Sequence, residues 1–430
     1  MFGFLSTETV DAPGNYGMLD QIAALKWVKQ NIGAFSGDPD MVTIMGQQAG
    51  GASVHYHLLS PITRGLFNRA VSLSGTALCW WASIKRPQEK AKKLAQIVEC
   101  PKDAFVDMKK LVDCIKEKPM MELMNTLPNF YQWKHLQKTQ EPLTAWSPRV
   151  DPEAAVEDGH LAFMPQEPID IMNSGNFQHS SWVTGITDDE GGTRASAFFA
   201  DEEGVTEFEN KFDRYAPLMF GLNDGQSEAP IIMVKKVKDH YFGDKITEAP
   251  LVDAISDSSY AHPFATTSML HAKNGANVFL YHFGYRGKHS LSHIKPNEYP
   301  PTLITPSHHY GVGNGDDLIY LFPIHSGLFR PLPSDDIKFS NQLIELLTSF
   351  VKTGKPSVEI SESEPRLVWS PVNTSSGSQV FSHLNIGNMI RMDKGLPNHR
   401  RMSFWQSLPV YWNNDNKFYK PDSSTSREEL

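Results

Sequence analysis

The sequence predicts an α/β protein in which a mostly parallel sheet carries helices on both faces. Short runs of β character alternate with longer amphipathic segments, the pattern left by parallel strands joined through crossover helices. A glycine-bounded turn, Gly46-Gln47-Gln48-Ala49-Gly50, separates an apolar run from a helical stretch, as at a sharp strand-to-helix junction. Of the 430 residues, 40% are hydrophobic and 21% charged, so the chain can bury a sizeable core.

The elements follow in order. Asp11-Ala12-Pro13-Gly14-Asn15 is a turn cluster, after which Leu19, Ile22, Ala23, Lys26 and Trp27 recur at helical spacing up to Gly33. Beyond Gly37-Asp38-Pro39 come a strand at 41–45, the glycine-bounded turn and a helix at 52–59. Ala70-Val71-Ser72-Leu73-Ser74 reads as the next strand, which makes the early part β-α-β. Residues 86–175 read as a helical and irregular excursion above the sheet. Strands return at 181–186 and 277–283, both rich in β-branched and aromatic residues. A late helix begins near Ser334, gathers Leu343, Leu346, Leu347 and Phe350 on one face, and stops at Gly354 with Pro356 beyond. The acidic stretch 359–365 reads as a solvated loop rather than a functional one.

Charge and composition exclude several classes. A net charge of −9 argues against a nucleic-acid surface, which needs clustered Lys and Arg. No apolar run reaches the roughly 18 residues of a membrane span. No cofactor is expected, and His308 and His309 have no Cys or acidic spacing around them that would make a metal site. Cys100 and Cys114 flank a helix-like stretch at 103–112; a short bridge and two reduced thiols are both open readings, with Cys79 left over. Asn373-Thr374-Ser375 is a glycosylation sequon. Met1-Phe2-Gly3-Phe4-Leu5 has no signal-peptide character. The final Arg427-Glu428-Glu429-Leu430 approximates an ER-retrieval signal, with a frayed polar tail as the alternative.

A Gly-x-x-x-Gly turn between strand and helix lifts its central residue to the top of the sheet, where a serine serves as nucleophile. Here that residue is Gln48. Together with Pro13-Gly14-Asn15, Phe35-Ser36-Gly37-Asp38-Pro39, Leu73-Ser74-Gly75-Thr76-Ala77, Asp189-Glu190-Gly191 and Phe404-Trp405, the elbow makes the chain resemble the type-B carboxylesterases and cholinesterases, particularly the insect-type secreted esterases. The likeness covers nearly the whole chain, and Gln47 points to the juvenile-hormone-esterase-like branch.

The resemblance implies an α/β-hydrolase fold over 1–415, with 416–430 a polar tail. It implies triad positions at Gln48, Glu190 and Asn314, of which only Glu190 keeps the family's residue type. Asn314 stands within Tyr310-Gly311-Val312-Gly313-Asn314-Gly315-Asp316-Asp317-Leu318, where the family carries its histidine. Ala49 supplies one oxyanion-hole amide, Trp81 takes the place of an acyl-pocket tryptophan, and Trp80 replaces a proline. The family also pairs cysteines at the positions of Cys100 and Cys114. Its members carry a long segment ahead of Gly3-Phe4-Leu5-Ser6-Thr7, including a signal peptide, the first strands and a second source of oxyanion amides. On this likeness the N-terminal part of the fold is missing, and the lineage belongs to the secretory pathway.

The chemistry follows from the substitutions. A carboxamide has no hydroxyl to acylate, and an asparagine cannot take and return a proton as imidazole does. Ser53 lies about a turn and a half along the helix and should point away from the site; Ser74 has a supporting role. The expected function is a non-catalytic one, binding a protein partner or a lipophilic small molecule. The alternatives are a serine ester hydrolase acting on lipophilic esters and a non-functional truncated paralogue.

Overall fold

The computed structural model describes residues 1–137, 146–155, 162–222, 231–294, 310–324, 328–361, 363, 365–372 and 381–408. The strands are β1 (Thr43–Gln47), β2 (Arg69–Leu73), β3 (Ser181–Thr187), β4 (Val278–Phe283), a short pair β5 (Ser357–Val358) and β6 (Leu367–Val368), then β7 (Ser382–Ile386) and β8 (Ile390–Lys394). Six of them form one sheet in the order β1-β2-β3-β4-β7-β8. The first five run parallel and β8 closes the far edge antiparallel to β7. β3 and β4 are almost wholly buried, as apolar strands covered on both faces must be.

The sequence places β2, β3 and β4 to within a residue or so, but β1 is displaced. The expected 41–45 becomes Thr43–Gln47 because pairing with β2 starts at Thr43 opposite Arg69, while the Val42 amide is taken by the Asn68 side chain. β7 and β8 are additions. Each is five residues long with polar side chains interleaved, too short an alternation to stand out.

Helix α1 (Tyr16–Asn31) precedes the sheet and α2 (Ala49–Leu59) leaves β1 at the elbow. In the excursion, α3 (Pro87–Ile97) and α4 (Met108–Glu117) share a small core of Leu94, Leu111, Ile115 and Phe130. The helix-like stretch expected at 103–112 is split: a 3-10 turn at Lys102–Phe105 ends before Asp107, whose carboxylate caps α4 by accepting from the amides of Lys109 and Lys110. Cys100 and Cys114 are disulfide-bonded with Cα atoms 6.0 Å apart, and Cys79 is free and buried.

Helices α5 (Gly192–Phe199) and α6 (His262–Lys273) lie on one face of the sheet, and α7 (Ser334–Thr353) covers the other. The expected apolar face of α7 is present: Leu343, Leu346 and Phe350 are buried, with Leu347 partly so. Each such side chain contributes about 1.5–3 kcal/mol by leaving water. Gly354 ends the helix at φ 72°, a left-handed cap that glycine adopts without strain. Helix α8 (His399–Ser407) buries Trp405. Asn373, the residues 308–309 and the tail 416–430 lie outside the described residues. Among the described residues no helix is long and apolar enough to cross a membrane.

Candidate functional site

The sheet register aligns the site. Gln47 stands opposite Leu73, Leu73 opposite Gly185, Gly185 opposite Tyr281, and Tyr281 opposite Leu384, a single row near the C-terminal ends of five parallel strands. Ligands of open α/β sheets bind outside those ends.

Gln48 occupies the elbow at φ 53° and ψ −113°, a conformation that costs a non-glycine residue about 1–3 kcal/mol and persists only where the surroundings enforce it. Its amide donates to the Leu73 carbonyl at 2.8 Å and its carbonyl accepts from Ala52 at 2.9 Å. Two glycines make room. A Cβ on Gly46 would fall 2.3 Å from the Gly50 carbonyl, and one on Gly75 would fall 2.1 Å from the Gln48 oxygen. Ala49 opens α2, so its N–H belongs to the first-turn donors that no carbonyl within the helix can take. Ser53 is turned away, its hydroxyl donating to the Ala49 carbonyl at 2.8 Å.

The turn after β3 carries Glu190, 1% exposed. One carboxylate oxygen accepts from the Thr187 amide at 2.8 Å and the other from Asn314 Nδ2 at 2.6 Å. Asn314 Oδ1 in turn accepts from Gln47 Nε2 at 2.7 Å. The carboxylate can only accept, so the Asn314 NH₂ must face it and the Asn314 oxygen is left for Gln47. The chain of bonds therefore runs through Gln47 and not Gln48, whose Nε2 instead lies 3.5 Å from the Tyr260 hydroxyl.

Burial pushes Glu190 up to about 7, against the bonds from Asn314 and Thr187 and with a push from the nearby Asp317 charge. The Ser74 hydroxyl beside it favours the charged form without closing a well-aligned hydrogen bond. Burial likewise raises Asp316 to about 7, although the Leu291 and Gly313 amides donate to it, and Asp317 to about 6. Three buried carboxyl groups thus lie in and against one loop.

The opposite wall comes from a π-helical turn, Asp257–Ala261, leading into α6. Trp81, 4% exposed, donates from its indole to the Ser259 carbonyl at 3.0 Å and lies 5.7 Å, ring to ring, from Tyr260. Trp80 donates to the Ser259 hydroxyl at 3.1 Å beneath the Arg194 guanidinium. Trp80 is seated against Gly221, where any Cβ would come within 2.2 Å of the ring. Burial pushes the Cys79 thiol up to about 12, so it is no thiolate nucleophile near neutrality. Among the described residues no group of three or more His, Cys, Asp or Glu side chains could hold a metal ion.

The structure links these residues through contacts: Asn314 bonds both Glu190 and Gln47, the neighbour of Gln48, while Gln48 reaches Tyr260, against which Trp81 packs, and Ala49 follows Gln48 at the start of α2. Sequence reasoning missed Gln47, Tyr260, Ser259 and Arg194. The run Asp257-Ser258-Ser259-Tyr260, polar yet wholly buried, sits where apolar residues would be expected, and its role is visible only once the π-turn is seen.

The sequence profile of the carboxylesterase family matches residues 1–405. The chain is 32% identical to venom carboxylesterase-6 of Apis mellifera over 430 residues, covering 97% of this chain and 70% of that protein. It is 33% identical to esterase FE4 of Myzus persicae over 382 residues and 31% identical to juvenile hormone esterase of Tribolium castaneum over 387, in each case across 87% of this chain and 62% of the relative. The chain thus spans 62% to 70% of the length of these relatives. With the elbow, the acid after β3 and the loop that meets it all in place, the chain belongs to the carboxylesterase family.

Proposed function

We propose that this carboxylesterase-family chain uses its site to bind a lipophilic molecule or a protein segment and does not hydrolyse esters there. The observation that carries the reading is the closed chain Gln47–Asn314–Glu190 beside an elbow that presents the Gln48 carboxamide. Serine attack requires a base that takes the hydroxyl proton and later returns it to the leaving group. Neither carboxamide does either step. Losing one such group in a well-studied triad costs about a million-fold, and losing the second adds little.

The remaining parts suit binding. The Ala49 N–H can donate to a carbonyl oxygen, and Tyr260 beside Gln48, with Trp81 packed against it, makes the wall by the elbow aromatic. A role in the secretory pathway fits the disulfide. The second reading, a hydrolase of lipophilic esters, is favoured by the names of the relatives, which are esterases. Incubating the protein with a long-chain aryl ester separates the two. The binding reading expects saturable association, weakened by Trp81→Ala, with the ester recovered intact; consumption of the ester beyond a heat-denatured control overturns it.

A further inference from the structure

Two α-helical segments, Glu248–Ser256 and α6, are joined through the π-helical turn Asp257–Ala261, in which the His262 amide donates to the Asp257 carbonyl five residues back. A single π turn inside an α-helix carries one residue more than the ladder on either side. Relaxing it to the α register would rotate its side chains by about 100°, the angle per residue at 3.6 residues per turn. The turn faces the elbow: Ser259 takes the indoles of Trp80 and Trp81, and Tyr260 reaches Gln48. One residue before it, the Ser256 hydroxyl accepts from the Gly191 amide at 2.8 Å, beside Glu190.

What pins the turn comes from α8, far along the chain. The Asp257 side chain is fully buried. Arg401 sets its Nε 2.8 Å from one of the carboxylate oxygens and 3.1 Å from the other, while its Nη1 donates to Asp253 at 2.5 Å. The Tyr241 hydroxyl donates to Asp257 at 2.7 Å and itself accepts from the Trp405 indole at 2.7 Å. Arg401 and Trp405 are four residues apart and share one face of α8. Both routes from that face end on the carboxylate that opens the turn. A buried carboxylate is tolerated where it is paired and hydrogen-bonded, and here the pairing depends on where α8 lies.

We propose, on the binding function stated above, that Arg401 is a positioning residue for the elbow site: by pairing with Asp257 it holds the π register, and α8 thereby sets the aromatic wall that a lipophilic ligand meets beside Gln48. Displacing α8 loosens that wall without touching a residue that contacts the ligand.

The test uses the whole chain with 4-nitrophenyl octanoate as probe, its affinity read by quenching of tryptophan fluorescence and the turn read by hydrogen exchange without probe. Two variants are compared with the unmodified protein, Arg401→Met alone and Arg401→Met together with Asp257→Asn. The single variant leaves a buried carboxylate without its cation and should lose stability, whereas removing both partners should restore much of it. Restored stability should not restore the site. Both variants are expected to bind the probe about tenfold more weakly, within the range by which residues that touch no ligand modulate a distant site. Amide exchange over 257–262 should rise several-fold in both, with exchange in α7 unchanged. Where the single variant fails to fold, the double variant decides. The proposal is overturned if the double variant binds the probe as tightly as the unmodified chain, or if its exchange over 257–262 is unaltered. Absence of probe binding by the unmodified chain, or hydrolysis of the probe, would sink the binding function instead, and exchange over 257–262 would then decide the clamp by itself.

Discussion

Asn314 donates to Glu190 across 2.6 Å, so a carboxamide fills the bond through which an acid of this fold would orient an imidazole. The bond leaves the buried carboxylate satisfied, and Gln47 satisfies the asparagine in its turn. A buried carboxylate without partners would be far more costly.

That network should be cooperative. Asn314→Ala strips a donor from Glu190 and an acceptor from Gln47, and is expected to destabilise the protein by about 2–4 kcal/mol in urea unfolding. Gln47→Leu alone should cost less, because the carboxylate keeps its bond, and the double variant should cost less than the sum of the two. Additive losses would mean that the three side chains do not act as a chain.

The pH dependence has a defined sign. Glu190 is raised from an ordinary value of 4.5 to about 7 by burial, so the folded state holds a proton that the unfolded state has released. Its contribution to stability is therefore present at low pH and is lost as pH rises from about 4.5 through 7. Buried histidines such as His55, held down to about 3 by burial, work in the opposite direction, so the informative quantity is a difference. Glu190→Gln should gain stability relative to the unmodified protein as pH rises across that window, by an amount on the order of 3 kcal/mol. A difference that is flat between pH 4 and 8 would contradict a raised Glu190.

The elbow should behave as strained backbone. Gln48→Gly relieves a left-handed conformation and is expected to raise stability by about 1 kcal/mol or more. Gly46→Ala should do the reverse, and strongly, because its Cβ would meet the Gly50 backbone at 2.3 Å. Equal and small effects at both positions, measured by thermal unfolding, would show that the turn is relaxed.

The disulfide gives a covalent check. Alkylation of the denatured, unreduced protein should modify Cys79 alone, and replacing Cys100 and Cys114 by serine should cost about 3 kcal/mol by freeing the unfolded chain. Three alkylated thiols would remove both the bridge and the argument for an oxidising compartment.

How much of this was legible beforehand depends on where each signal lives. β2, β3 and β4 announced themselves because strands buried on both faces are apolar along their length. β7 and β8 did not, since Leu384 and Ile386 alternate with His383 and Asn385 in a run too short to count. At the site, the family resemblance singled out Gln48, Glu190 and Asn314, and the bond between Asn314 and Glu190 joins two of them. The part played by Gln47 was not legible, because its partner is 267 residues away and the pairing depends on how the loop at 310–318 descends on the end of β1. Tyr260 was hidden for a similar reason: the π-turn that aims it at Gln48 leaves no periodic mark.

Under the proposed function, the carboxamides of Gln48 and Asn314 stand where a serine hydrolase has its nucleophile and base, and the site has no hydrolytic chemistry. Exposure of the purified chain to a fluorophosphonate, followed by intact-mass analysis and assay with a short-chain aryl ester, tests it most directly. No adduct and no turnover above a denatured control are expected. A stoichiometric adduct mapped to a serine such as Ser53 or Ser74, with turnover abolished by the same reagent, would contradict it.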